Sequence, residues 1–217
     1  MRVKICGLTN LADARVAAQA GADLLGFNFY PPSPRYIAPD NAAHIIAALR
    51  AEFGAKLFVC VGVFVNLPLA NLRAIQQQCQ LDLLQLHGDE SVEECLMAGV
   101  SAFKALRPRA VNEAETFIAA WERGLNAAHG APHFLIDAAH PQLYGGTGTT
   151  GNWELAHAIA RCHSILLAGG LTPTNVANAI RVVRPWGVDT ASGVERAPGL
   201  KDASKVRQFI EAAKRDA

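Results

Sequence analysis

Ser164-Ile165-Leu166-Leu167-Ala168-Gly169-Gly170-Leu171-Thr172-Pro173 is the stretch that decides how the chain is read. A short apolar run ends in paired glycines and gives way to Thr172-Pro173, an N-cap followed by a proline suited to the first helical position. Val176, Ala179, Ile180 and Val183 then recur at i, i+3, i+4 and i+7, a stripe that packs on a sheet. The unit is strand, turn, helix.

Working outward, the same alternation runs through the whole chain. The other strand candidates are Arg2 to Cys6, Asp23 to Phe29, Lys56 to Val65, Asp82 to Leu86, Ser101 to Leu106, His133 to Asp137 and Gly187 to Thr190. Most are continuously apolar rather than alternating, the pattern of parallel strands covered on both faces. Between them, Ser91-Val92-Glu93-Glu94 forms a capping box and Gly99 ends its helix. Ala114, Phe117, Ile118 and Trp121 form one further helical stripe, and Ala203, Val206, Phe209, Ile210 and Ala213 another. Eight such units in 217 residues predict an α/β fold, a single (β/α)8 TIM barrel occupying 1–217 as one domain. An open doubly wound sheet uses the same alternation, but the first turn carries no dinucleotide fingerprint and the strands are evenly short.

Composition narrows the function. Lys and Arg total 20 against 19 Asp and Glu, which gives no reason to expect a nucleic-acid partner. The longest apolar run, Leu57 to Val65, falls short of the ~20 residues that cross a bilayer. Met1-Arg2-Val3-Lys4 lacks a signal-peptide pattern, so a soluble cytoplasmic protein is expected. The five cysteines are scattered and without CxxC, which points to reduced thiols and no metal site.

In a barrel, function belongs to the C-terminal strand ends and the loops after them. Cys6 ends the first strand there, where a thiolate can serve as nucleophile or base; Cys60, mid-strand, reads as a small buried hydrophobe. Asp137 closes the apolar Phe134-Leu135-Ile136, either capping the next turn or acting as a general acid or base with a raised pKa. Gly169-Gly170 and Ser192-Gly193 follow strands seven and eight, where glycines are plain turns or let backbone N–H groups approach a phosphate. Arg35, between prolines after strand two, is either solvated or able to grip a carboxylate. Gly146-Thr147-Gly148-Thr149-Thr150-Gly151 is formally GxGxxG but lies too far past its strand and lacks the later acidic residue, so it is no dinucleotide site.

Taken in order, Lys4-Ile5-Cys6-Gly7-Leu8-Thr9, Ser33-Pro34-Arg35-Tyr36-Ile37, Val61-Gly62-Val63-Phe64-Val65-Asn66, Gln85-Leu86-His87-Gly88-Asp89-Glu90, Gly145-Gly146-Thr147-Gly148, Leu167-Ala168-Gly169-Gly170-Leu171, Ser192-Gly193-Val194-Glu195 and Pro198-Gly199-Leu200-Lys201-Asp202 resemble the phosphoribosylanthranilate isomerase family along nearly the whole chain. The resemblance implies a cofactor-free barrel that isomerises a phosphorylated small molecule by an Amadori rearrangement in tryptophan biosynthesis. It implies Cys6 as general base and Asp137 as general acid, with Arg35, His87 and Asp189 binding substrate. Gly146, Gly169, Gly170, Ser192 and Gly193 would hold the phosphate. A monomer or weak homodimer is expected. Two departures stand out: Gly151-Asn152 where the family often has Phe-Asp, and Ala191 where a second serine is common. Rival readings are another sugar-phosphate barrel isomerase or epimerase, and a non-catalytic sensor that keeps the phosphate loops but needs neither Cys6 nor Asp137. Indole-glycerol-phosphate synthase would need a catalytic lysine cluster, and Lys4 and Lys104 are too few for one.

Overall fold

The computed structural model describes residues 1–54, 57–107, 111–122, 131–137 and 153–215. Its strands are β1 (Arg2–Ile5), β2 (Leu24–Asn28), β3 (Val59–Phe64), β4 (Leu83–Leu86), β5 (Ala102–Leu106), β6 (Phe134–Asp137), β7 (Ile165–Ala168) and β8 (Gly187–Thr190). They pair in parallel in chain order, and β8 returns to β1 to close a barrel, as the alternation predicts. The observed strands start and stop within three residues of the expected bounds; Lys56, expected to open the third, lies outside the described residues. Helices α1 (Leu11–Gln19), α2 (Pro39–Phe53), α3 (Leu69–Cys79), α4 (Val92–Ala98), α5 (Val111–Glu122), α6 (Trp153–Ala160), α7 (Val176–Val183) and α8 (Ala203–Arg215) follow the strands. No helix among the described residues is long and apolar enough to cross a membrane.

Each strand is apolar throughout because it serves two cores. Alternate residues such as Leu24, Val61, Leu83, Phe103, Leu135 and Leu166 fill the barrel interior. The intervening ones, among them Val3, Ile5, Leu25, Phe27, Leu84, Leu167 and Val188, meet the helices through Ala14, Ile46, Val176 and Phe209. The capping box forms as expected: Ser91 Oγ accepts from the Glu94 N–H, and Glu94 Oε2 from the Ser91 N–H.

Two features depart from the sequence reading. α7 starts at Val176 rather than at Thr172-Pro173. The cause is Asn175, whose Oδ1 accepts from the Thr172 N–H at 2.8 Å while its Nδ2 donates to the Gly170 carbonyl at 3.0 Å. These bonds hold a separate turn ahead of the helix. After β8 the chain also makes one 3₁₀ turn (Ser192–Val194) and a small antiparallel hairpin of β9 (Glu195–Ala197) and β10 (Leu200–Lys201), which the sequence reading did not contain.

Gly62, on the helix-facing side of β3, shows how tightly the outer core is packed. A Cβ there would lie 2.5 Å from Leu81 Cδ1 and 2.6 Å from Phe64 Cε2. Gly62→Ala is therefore expected to destabilise by about 1–3 kcal/mol, the usual result of overpacking, seen as a lower urea midpoint with unchanged slope.

Candidate active site

Strand alternation carries the inward face past the last apolar layer and up to the C-terminal mouth. There it presents Cys6, Asn28, His87, Asp137 and Asp189 around a cavity of about 620 Å³. Arg35, Gly169, Gly170, Ser192 and Gly193 complete the wall from the loops. Gly146, expected at the phosphate, and the Gly151-Asn152 departure lie outside the described residues.

Cys6 follows β1 directly and its N–H donates to the Thr190 carbonyl at 2.9 Å, which ties it to β8. Beside it Gly26 leaves room: a Cβ there would lie 2.9 Å from Cys6 Sγ and 3.1 Å from Lys4 Nζ. Lys4, one inward position below Cys6, is wholly buried and donates to Asp189 Oδ1 at 2.9 Å. Burial opposes its charge, but Asp189 and the Cys6 sulfur more than offset this and hold its pKa above the usual lysine value.

Arg35 is not merely solvated. Its Nε donates to Glu195 Oε1 at 2.8 Å and its Nη2 to Oε2 at 2.7 Å, a paired fork that leaves the Nη1 end for other partners. Its stem lies over Gly7, where a Cβ would come 2.6 Å from Arg35 Cδ. Lys201, from β10, reaches the same Glu195 Oε1 at 2.9 Å and the Ala191 carbonyl at 3.1 Å.

On the opposite side of the mouth, Asp137 Oδ2 lies 3.7 Å from Arg107 Nε, whose side chain is 65% exposed. Asp137 stands three strands around the barrel from Cys6. His87 Nδ1 lies 2.7 Å from Gln85 Nε2. With the amide nitrogen as donor, Nδ1 accepts and the ring proton is assigned to Nε2. Burial, then Arg107, Lys4 and Lys104, pull the His87 pKa down to about 3, so the ring is neutral at pH 7.

Gly169 and Gly170 have φ of 99° and 65°, a left-handed backbone that disfavours side chains. Around Gly170 a Cβ would meet nothing within 4 Å, so that residue borders open space. Gly193 is the reverse case, with the Leu171 carbonyl against the place a side chain would occupy.

The sequence reading gave no site role to Arg107, Asn28, Gln85, Lys4, Glu195 or Lys201, although the last four lie in its motifs. The strand-end rule alone could have found Arg107 and Asn28, since each sits at or just past the C-terminal end of its strand. Glu195 and Lys201 had no local signal, because their partner Arg35 is 160 residues from Glu195.

Fold and mouth together define a (β/α)8-barrel enzyme. The chain belongs to the N-(5'-phosphoribosyl)anthranilate (PRA) isomerase family, whose model matches residues 3–212. The N-(5'-phosphoribosyl)anthranilate isomerase of Trichlorobacter lovleyi is 47% identical over 215 residues, covering 99% of this chain and 98% of that protein. The crystal structure of phosphoribosyl anthranilate isomerase from Thermotoga maritima superposes with a TM-score of 0.84 at 39% identity, covering 99% of this chain and 98% of that one. A further crystal structure, of phosphoribosyl anthranilate isomerase in complex with reduced 1-(o-carboxyphenylamino)-1-deoxyribulose 5-phosphate, has a TM-score of 0.82 at 36% identity with the same coverage.

The depressed His87 pKa has a consequence for acid stability. Below pH 6.5 the unfolded chain gains a proton on this ring that the folded chain refuses until about pH 3. Stability is thus complete above pH 6.5 and falls by on the order of 1 kcal/mol per pH unit down to the folded value. His87→Gln should flatten that part of the pH–stability curve, measured by urea unfolding between pH 7 and pH 4.5.

Proposed function

We propose that this chain converts N-(5-phosphoribosyl)anthranilate to 1-(2-carboxyphenylamino)-1-deoxyribulose 5-phosphate, the Amadori step of tryptophan biosynthesis, with Cys6 as base and Asp137 as acid. The observation that carries the assignment is the combination of a near full-length family match with a thiol and a carboxylate facing one cavity from separate strands. Asp137 would give its proton to the ribose ring oxygen while the anilino nitrogen lone pair forms C1=N and the C1–O bond breaks. The Cys6 thiolate then takes the C2 proton. The C2–H electron pair becomes C1=C2, and the C=N pair returns to nitrogen. Loss of the enol proton with protonation at C1 yields the ketone. A positioned acid and a positioned base each contribute typically ~10²–10⁴-fold to such a step.

Binding follows from what surrounds the pair. The Nη1 end of Arg35 and the Arg107 guanidinium offer cations to the anthranilate carboxylate, and His87 offers a neutral N–H donor. Gly169, Gly170, Ser192 and Gly193 line the cavity and the open space at Gly170 supports a phosphate cradle, and Gly146 is proposed with it on the family motif alone. We read Asp189 as reaching substrate with the oxygen that Lys4 does not hold. We also read the enzyme as one cofactor-free barrel domain over residues 1–217, cytoplasmic, and a monomer or weak homodimer. The acid–base scheme calls for no redox step, which supports the cofactor-free part.

Cys6→Ala is expected to lower kcat at least ~10²-fold while leaving the urea midpoint nearly unchanged, because its side chain faces the cavity. Asp137→Asn should likewise collapse kcat while substrate still binds; a rise in KM alone would make it a binding group. Steady-state kinetics with fluorescence titration separate these cases.

The phosphate reading has its own test. A side chain at Gly170 would project into open space rather than into the protein. Gly170→Val should therefore weaken phosphorylated product analogues at least ~10-fold more than dephosphorylated ones, measured by calorimetry. Equal losses would indicate backbone strain at that left-handed position.

A further inference from the structure

Outside the acid–base pair, the mouth contains a group of largely buried charges, of which only Arg35 and Asp189 have so far been given a role, in binding. Lys4, Arg35 and Lys201 gather on the side of Cys6 from β1, the loop after β2, and β10: Sγ and Lys4 Nζ share the space over Gly26, Arg35 lies over the adjoining Gly7, and Cys6 is electrostatically coupled to all three. Asp189 on β8 pairs with Lys4, and Glu195 on β9 pairs with both Arg35 and Lys201. Side-chain exposure is 0% for Lys4 and Lys201, 10% for Asp189, 5% for Glu195 and 24% for Arg35. β2 contributes Gly26, which carries no charge and lets Sγ and Nζ approach. Asp13 on α1 borders the group but faces the Lys201 backbone N–H and the Asn10 amide, while Lys205 on α8 is exposed and donates to the Glu195 carbonyl.

Three cations therefore stand against two carboxylates. A buried group with one uncompensated charge is costly, and Cys6 Sγ, which shares the space over Gly26 with Lys4 Nζ, is an ionisable atom placed to balance it. We propose that Lys201 and Glu195, with Lys4 and Asp189, form a charge-counting cluster that keeps Cys6 as a thiolate in the resting protein. The thiol proton goes to solvent and the thiolate brings the cluster to neutrality. This rests on the reading of Cys6 as base. Lys201 and Glu195 are positioning residues, acting through Cys6 rather than on substrate. Lys201 is the cation most dependent on the cluster, since burial outweighs Glu195 and pulls its pKa below the usual lysine value.

The test turns on sign. Cys60 and Cys95 are pushed up to about 12 and Cys79 to about 11 by burial, so in a Cys162→Ser background Cys6 is the one cysteine left, and its labelling is what the experiment reads. The pH dependence of iodoacetamide labelling at Cys6, read by mass spectrometry, reports its thiolate without needing turnover. Removing a cation (Lys201→Gln, or Lys4→Gln should that variant fold better) should raise the labelling midpoint by about one to three pH units. At pH 7 that is a loss of labelling rate of about tenfold or more. Removing a carboxylate (Glu195→Gln or Asp189→Asn) should move the midpoint down. A structural role for these residues gives no such opposition, because each substitution removes one hydrogen-bonding charge. Shifts in one common direction, or no shift, overturn the proposal; so does a change in KM with a fixed midpoint, which would assign the spare charge to the substrate carboxylate. Normal turnover by Cys6→Ala would overturn the base reading instead, and the labelling result is independent of it.

Discussion

Lys4 and Asp189 are register partners across the seam where β8 closes onto β1, and their ion pair is buried at 2.9 Å. An ammonium with no solvent exposure must have a counter-charge, and in this seam only one register supplies it. A slip by one residue would set Val188 or Thr190 opposite Lys4 and turn the aspartate toward the helix layer. Compared with a well-packed apolar pair, such a bridge adds little net stability. What it contributes is specificity: closing the barrel correctly places the side chains at its mouth. Cys6 stands two residues beyond Lys4, so the same alternation that buries the lysine lifts the thiol into the cavity.

That dependence explains what was legible in the sequence. Strand existence and order follow from short apolar runs between helical stripes, and the closed barrel bears this reading out. The cavity residues were also within reach, because a strand-end rule needs only the strand and its direction. That rule alone puts Cys6 and Asp137 at the mouth, where both line the cavity. The glycine pair after β7 was legible for another reason: positive φ at Gly169 and Gly170 is a local backbone demand that glycine meets best.

What stayed hidden was of two kinds. Thr172-Pro173 looks like a helix start because both residues suit one, yet Asn175 diverts the local hydrogen bonds and delays α7 to Val176. Two valid local signals competed, and propensity does not rank them. The Arg35–Glu195–Lys201 group was hidden for a different reason. Its hairpin has only three and two residues per strand, too short for alternation to show, and its partners are brought together only by closure. Pairing at that sequence distance leaves no trace in a single chain.

The two sides of the mouth suit opposite proton tasks. An acid must hold its proton until the substrate arrives, whereas a base must already be without one. Asp137 faces Arg107, whose side chain is largely in solvent, so that charge is strongly screened. Cys6 instead lies among cations whose charge is felt at low dielectric. His87, neutral through its burial, sits among the cavity groups without adding a charge that would disturb either side. The division is a matter of exposure: the Arg107 charge beside Asp137, the proposed acid, is left in water, and Lys4 and Lys201 on the side of Cys6, the proposed base, are taken out of it. It begins at the seam, where Lys4, one inward position below Cys6, has no solvent exposure and holds its charge against Asp189.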